Sequence, residues 1–244
     1  MPRTARLINV NGYQHIIIRG IGKQILFEDD WDYKYFISLM QRFSDETGVK
    51  VCGYCLMDNH VHIITHDKEN AISLFMKKIG ISYAGFYNNK YERTGHLFQD
   101  RFKSEIVYDE RFFLTVLRYV LRNPEKAGIC ATDKYRWSSY SLCFTESSFI
   151  ENDLIRELFK NVDDFRDYVL MDSSDKCMEY EEKKDDIWAL DLIKRTLGID
   201  NGTILQTYGR TDRNDAIKKL KAAGMSIRQI SRMTGLSKGV IQKV

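Results

Sequence analysis

Proline is nearly absent, with 2 residues in 244, so the composition is that of a globular protein and not of an extended or low-complexity chain. A charge-free apolar run long enough to span a bilayer, about 20 residues, is also missing, and MPRTARLINV holds no apolar signal core. Both absences exclude a membrane protein and set the expectation of a cytoplasmic one. Cysteine is sparse and odd in number, at positions 52, 55, 130, 143 and 177, which argues against a disulfide framework and for reduced thiols. Cys52 and Cys55 form a C-x-x-C with His60 and His62 close behind, so zinc must be considered. An odd offset puts the two thiols on opposite faces of a regular strand, and they could chelate together only if Gly53 opened a bulge. Both are read as small core residues.

What is present is a length sufficient for one good core plus a smaller unit, and a net charge of +3 that is unevenly spread. Residues 1–150 carry 20 basic and 17 acidic side chains, residues 151–186 carry 6 and 13, and residues 187–244 carry 11 and 4. The last segment therefore points to a polyanion partner. The acidic one, which includes DSSDKCMEYEEKKDD, reads as a solvated helical connector. The expected organisation is 1–145, a connector over 146–186, and a C-terminal domain over 187–244.

Hydrophobic periodicity orders the elements. YQHIIIRG (13–20) is β-branched and reads as a strand. A helix follows over about 30–47, with Phe36, Leu39, Met40 and Phe43 on one face and Gly48 as its stop. VCGYCLM and HVHIIT, joined at Asp58-Asn59, form an antiparallel hairpin. A second helix spans about 70–91, then come the RTGHLFQDR loop, a strand over 103–108, and a third helix, ERFFLTVLRYVLRNP, that Pro124 closes. That order fits an α+β fold with a ferredoxin-like antiparallel sheet and helices on one face.

Within the hairpin, His60 and His62 project to one side of a strand about 6.6 Å apart, so both imidazoles can converge on one ion. Two nitrogen ligands leave most positions open to substrate, as a catalytic site requires, and a third ligand must come from a neighbouring element. On the third helix, at roughly 100° per residue, Tyr119 and Asn123 sit side by side at the margin of the apolar arc, with Arg118 and Arg122 on the wet side. A helix-stop asparagine and a tyrosine packed under a loop would be the bland account.

Four segments in register, MDNHVHIIT, RTGHLFQDRFKSEIV, RYVLRNPEKAG and YRWSSY, cover roughly residues 5–142. In these the chain resembles the HUH single-tyrosine transposases, the insertion-sequence-200-like superfamily, especially its REP-associated branch. The resemblance implies that His60 and His62 bind a divalent metal, Mg²⁺ or Mn²⁺, that Asn123 completes the site where other branches carry glutamine, and that Tyr119 is the nucleophile. It implies cleavage and joining of single-stranded or hairpin DNA through a 5′-phosphotyrosine, by a monomer or homodimer. Arg93, Arg101 and Lys103 near the TGHLFQDRF loop, and Arg118 and Arg122 beside the tyrosine, are candidate backbone contacts. Tyr83, Tyr87 and Tyr91 are rival tyrosines on a stripe that reads as packing.

RNDAIKKLKAAG, MSIRQISRMTG and LSKGVIQKV read as a supporting helix and a helix-turn-helix, with Ser226 and Ser237 as N-caps and Gly235 as the turn. Arg228, Lys238 and Lys243 are its candidate duplex contacts, and only about seven residues follow the second cap, which suggests a short base-reading surface. Two further readings stand beside the enzyme. One is a non-catalytic DNA-binding regulator using the C-terminal unit alone. The other is a metallohydrolase built on His60, His62 and His66, which lacks a carboxylate base at a convincing spacing.

Overall fold

The computed structural model describes residues 11–145, 149–173, 177–179 and 186–244. They fall in two compact units, Met1–Tyr180 and Glu181–Val244. Residues 174–176 and 180–185 of the acidic stretch lie outside the described residues.

In the first unit β1 (Tyr13–Arg19) is followed by α1 (Asp30–Thr47), β2 (Lys50–Met57), β3 (His60–His66), α2 (Ile72–Lys90), β4 (Lys103–Ile106), α3 (Glu110–Leu121) and the one-turn α4 (Asn123–Lys126). The strands make an antiparallel sheet in the order β2-β3-β1-β4, the α+β, ferredoxin-like arrangement expected. Local signals act where they were read. Asp29 caps α1 in a reciprocal box with Asp32, and Gly48 ends it in the left-handed region at φ 75°.

Helix placement differs from the one-faced expectation. Helices α1 and α2 cover one face, packing Phe36, Phe75, Ile79 and Tyr83 on Ile16, Ile18, Val61 and Ile63. Helix α3 covers the other, packing Phe113, Val116 and Leu117 on Cys55 and Ile64. The reason is visible in the strands, which are apolar on both sides and cannot leave a face wet. A bulge does occur, between Val51 and Gly53, and it turns Cys52 to the same side as Cys55. Both thiols are buried in the α3 core, as small core residues. Gly53 lets α3 close in, since a Cβ there would meet Leu117 Cδ1 at 3.2 Å.

Two other expectations are corrected. The acidic connector is not simply solvated: α5 (Asp153–Leu158) and α6 (Val162–Leu170) bury Ile155, Phe165 and Val169 against α3, because an i, i+4 apolar pair makes a face even in an acidic helix. Nor does Pro124 end the helical path. It sits in the first turn of α4, where its missing N–H costs little. The YRWSSY segment seals the outer edge of β2, with backbone bonds from Leu56 to Trp137 and from Ser139 to Tyr54.

In the second unit α7 (Asp186–Leu197), α8 (Arg210–Ala222), α9 (Ile227–Thr234) and α10 (Lys238–Gln242) enclose Ile193, Leu205, Ile217, Leu220, Ile230 and Ile241. Ser226 caps α9 in a box with Gln229, Gly235 ends it at φ 72°, and Ser237 caps α10. No helix among the described residues is long and apolar enough to cross a membrane.

Candidate active site

Strand register decides which side chains share the α3 face. Arg19 lies opposite His60 and Ile17 opposite His62, while His15 and Glu105 face each other across β1 and β4. Alternation along each strand then puts His15, Arg19, His60, His62 and Glu105 on one side, under the C-terminal end of α3. Arg19, Met57, His60, His62, Tyr119, Asn123, Lys126 and Glu179 line a pocket of about 300 Å³.

The rings of His60 and His62 are 5.0 Å apart, and the Tyr119 ring is 5.9 Å from His62. Each histidine has one nitrogen already engaged. His60 Nδ1 is 2.7 Å from Asn59 Oδ1, and His62 Nδ1 is 2.9 Å from His15 Nε2. The Nε2 atoms are the ones left to hold an ion. Burial, with the Arg19 charge second, pushes His60 down to about 4, and burial with the two neighbouring imidazoles holds His62 well below its usual value. Both imidazoles are therefore neutral at pH 7.

Stability carries the sign of that shift. Between about 4 and 6.5 the unfolded chain binds more protons at His60 than the folded one, so acid destabilises the fold across that window. Metal-free protein is expected to show a melting temperature that falls steadily from pH 6.5 to pH 4.5. A flat profile contradicts the buried neutral imidazole.

Helix α3 supplies the other half of the site. Pro124 has no N–H for the Val120 carbonyl, and Asn123 Nδ2 serves the carbonyls of Tyr119 and Val120 instead, at 2.9 and 3.4 Å. Its Oδ1 is the atom left for the pocket. The Tyr119 side chain is only 4% exposed, its ring under Lys126 Nζ at 4.3 Å, and its hydroxyl donates to Glu179 Oε1 at 2.8 Å. Burial and that carboxylate hold the phenol above its ordinary range. No three His, Cys, Asp or Glu side chains among the described residues converge as a ligand group; an ion in this pocket would be met by the imidazole pair and the amide oxygen.

The structure brings His60, His62, Tyr119 and Asn123 together. Lys103 shares this face of β4, two residues from Glu105, and Arg101 is exposed beside it. Arg93 lies away from the pocket, over the Tyr87 ring at 5.6 Å. Arg118 and Arg122 are not on a wet side. Arg118 is 7% exposed, under the Tyr168 ring at 4.5 Å, and Arg122 donates to the Met171 carbonyl at 2.6 Å, because α6 and the chain after it cover that side of α3. The rival tyrosines pack on the opposite face of the sheet: Tyr83 donates to the Leu26 carbonyl, Tyr87 to that of Ile25 and Tyr91 to Asp32. His66 pairs with Glu151 at 2.9 Å, outside this pocket, which removes the histidine trio of the metallohydrolase.

His15, Arg19, Glu105, Lys126 and Glu179 were missed. Pairing YQHIIIRG with the histidine strand would have found the first two. No local signal marks Glu179, 60 residues beyond Tyr119.

Residues 9–123 match the family model described as Transposase IS200 like. No curated protein matches the chain. Among solved structures, a REP-associated tyrosine transposase bound to a REP hairpin superposes with a TM-score of 0.53 at 13% identity, over 74% of this chain and 100% of that one. A Deinococcus radiodurans R1 protein described as a transposase gives a TM-score of 0.35 at 15% identity, over 49% and 95%.

Proposed function

We propose, from the match of residues 9–123 to the IS200-like transposase family model, that this protein cleaves and rejoins single-stranded or hairpin DNA with Tyr119 as the nucleophile. One observation carries the reading: Tyr119 and the two imidazoles line a single pocket within one chain. The solved relative is itself bound to a hairpin, which supports DNA as the partner.

Two neutral imidazoles and an amide oxygen fit a divalent ion such as Mg²⁺ or Mn²⁺ that keeps positions for phosphate oxygens. When bound, the ion would polarise a non-bridging oxygen and draw off charge as the phosphorus becomes five-coordinate. Tyr119 needs that help, because a phenol near pKa ~10 is about one part in a thousand ionised at neutral pH and this one is shifted higher still. As the Tyr119 Oη to phosphorus bond forms, the bond to the 3′-oxygen breaks. The phenol gives its proton to solvent and the departing 3′-oxygen takes one. Arg19 and Lys126 supply positive charge beside the phosphate. The 5′-phosphotyrosine keeps the energy of the broken ester, so another 3′-hydroxyl can reverse the step, and the protein acts as a strand-transferase.

Glu179 occupies the hydroxyl that must attack. Its carboxylate repels an incoming phosphate and holds the phenolic proton, so Glu179→Ala is expected to raise the rate of adduct formation about tenfold, equivalent to ~1.4 kcal/mol. A slower variant would instead make Glu179 the base.

The C-terminal unit supports duplex binding, with Arg228, Lys238 and Lys243 all exposed around α9 and α10 and charge in excess. Replacing all three by Ala is expected to weaken duplex binding and flatten its log–log salt slope by about 2.7, from roughly 0.9 per phosphate contact. An unchanged slope removes them from the interface. The enzyme and regulator readings separate on one gel: hairpin DNA incubated with protein and Mn²⁺ runs as a denaturation-resistant adduct only for the enzyme.

A further inference from the structure

We propose that His15, backed by Glu105, is a positioning residue that fixes the tautomer and aim of His62. The inference rests on the metal reading of the site above, and it concerns a side chain that touches neither phosphate nor ion.

His15 sits in the middle of the sheet, with 0% of its surface exposed. An imidazole in such a place needs partners, since a buried polar nitrogen left alone is costly. Its Nε2 lies 2.9 Å from His62 Nδ1, and its Nδ1 lies 3.5 Å from Glu105 Oε2, a long contact that is chiefly electrostatic. Glu105 is itself held by the Met178 backbone N–H at 3.0 Å.

A proton can be arranged along this row in two ways. If His15 Nε2 carried the hydrogen, its bare Nδ1 lone pair would face a carboxylate, and His62 would keep its own hydrogen on Nε2, where a metal ligand must be bare. If His15 carries it on Nδ1, toward Glu105, its Nε2 accepts from His62 Nδ1–H and His62 Nε2 is free. Only the second arrangement is favourable at both contacts. It also gives His62 the same form as His60, whose Nδ1 can donate to Asn59 Oδ1. The carboxylate thus selects a tautomer two imidazoles away, as outer partners of metal-bound histidines do. His15 further braces the site from behind, its ring 6.2 Å from that of Tyr119.

Two measurements on full-length protein test this. Long-range ¹H–¹⁵N spectra of the metal-free wild type should show His62 protonated on Nδ1, and a tautomer protonated on Nε2 overturns the proposal. Calorimetric titration with Mn²⁺ should find His15→Phe weaker by about 10- to 100-fold, His15→Gln, which keeps an acceptor near the Nε2 position, restored to within about threefold, and Glu105→Gln between them. Wild-type Mn²⁺ affinity in a folded His15→Phe variant overturns it. Should His15→Phe not fold, Glu105→Gln decides, and an unchanged His62 tautomer with unchanged Mn²⁺ affinity there overturns it. A wild-type protein that shows the expected tautomer yet takes up no Mn²⁺ upholds the relay and overturns the metal assignment instead.

Discussion

Tyr119→Phe is expected to abolish the covalent protein–DNA adduct while leaving the fold and the pocket in place. Phenylalanine keeps the ring that lies 5.9 and 6.2 Å from those of His62 and His15 and carries Lys126 at 4.3 Å. It loses only Oη and the hydrogen bond to Glu179, a change of about 1 kcal/mol in stability. Chemistry has no such reserve. With no oxygen to attack phosphorus, the rate should fall at least about 10⁴-fold, in line with deletion of a nucleophile elsewhere. The adduct is followed on a denaturing gel with the DNA labelled on the 3′ side of the cleavage point, because the phosphate stays with that fragment. Hairpin affinity should change little.

His60→Ala is expected to be the second largest loss. This imidazole is less buried than its neighbour and bonds only Asn59 among the contacts described for it, so its removal leaves no orphaned core histidine. His62→Ala would strand His15 in the sheet at a cost of about 1–3 kcal/mol and confuse folding with function. If the imidazole pair holds the ion as proposed, removing one of the two would take away several kcal/mol of charge stabilisation, about three decades of rate at 1.36 kcal/mol each. Cleavage should drop by that factor, with hairpin binding in the absence of metal kept within about twofold. If His60→Ala cleaved at the wild-type rate with Mn²⁺ present, the imidazole pair would not be the metal site.

Why these residues could be found in the chain, and others not, follows from the range over which a signal acts. His60 and His62 share a face because a strand alternates every residue, and Tyr119 meets Asn123 because a helix repeats every four. Caps are equally local: Ser226, Ser237 and Gly235 act within a few residues of where they stand. Burial of a helix is different, because it depends on what else is covered. Arg118 and Arg122 fall on the polar side of α3, yet α6 and the segment after it close over that side using only Phe165, Val169 and a few neighbours. A strand sequence also says that it pairs but not with which partner, so His15 passed as one more residue of YQHIIIRG until β1 lay beside β3. Glu179 reaches Tyr119 across 60 residues, a contact made by the packed fold and written in no periodicity.

Peptide mapping of the trapped adduct tests the account most directly. Wild-type protein is incubated with hairpin DNA and Mn²⁺, digested with nuclease and trypsin, and its nucleotide-bearing peptide sequenced by mass spectrometry. The account predicts a 5′-linked nucleotide on the peptide containing Tyr119. A nucleotide on Tyr83, Tyr87, Tyr91 or any other side chain contradicts it.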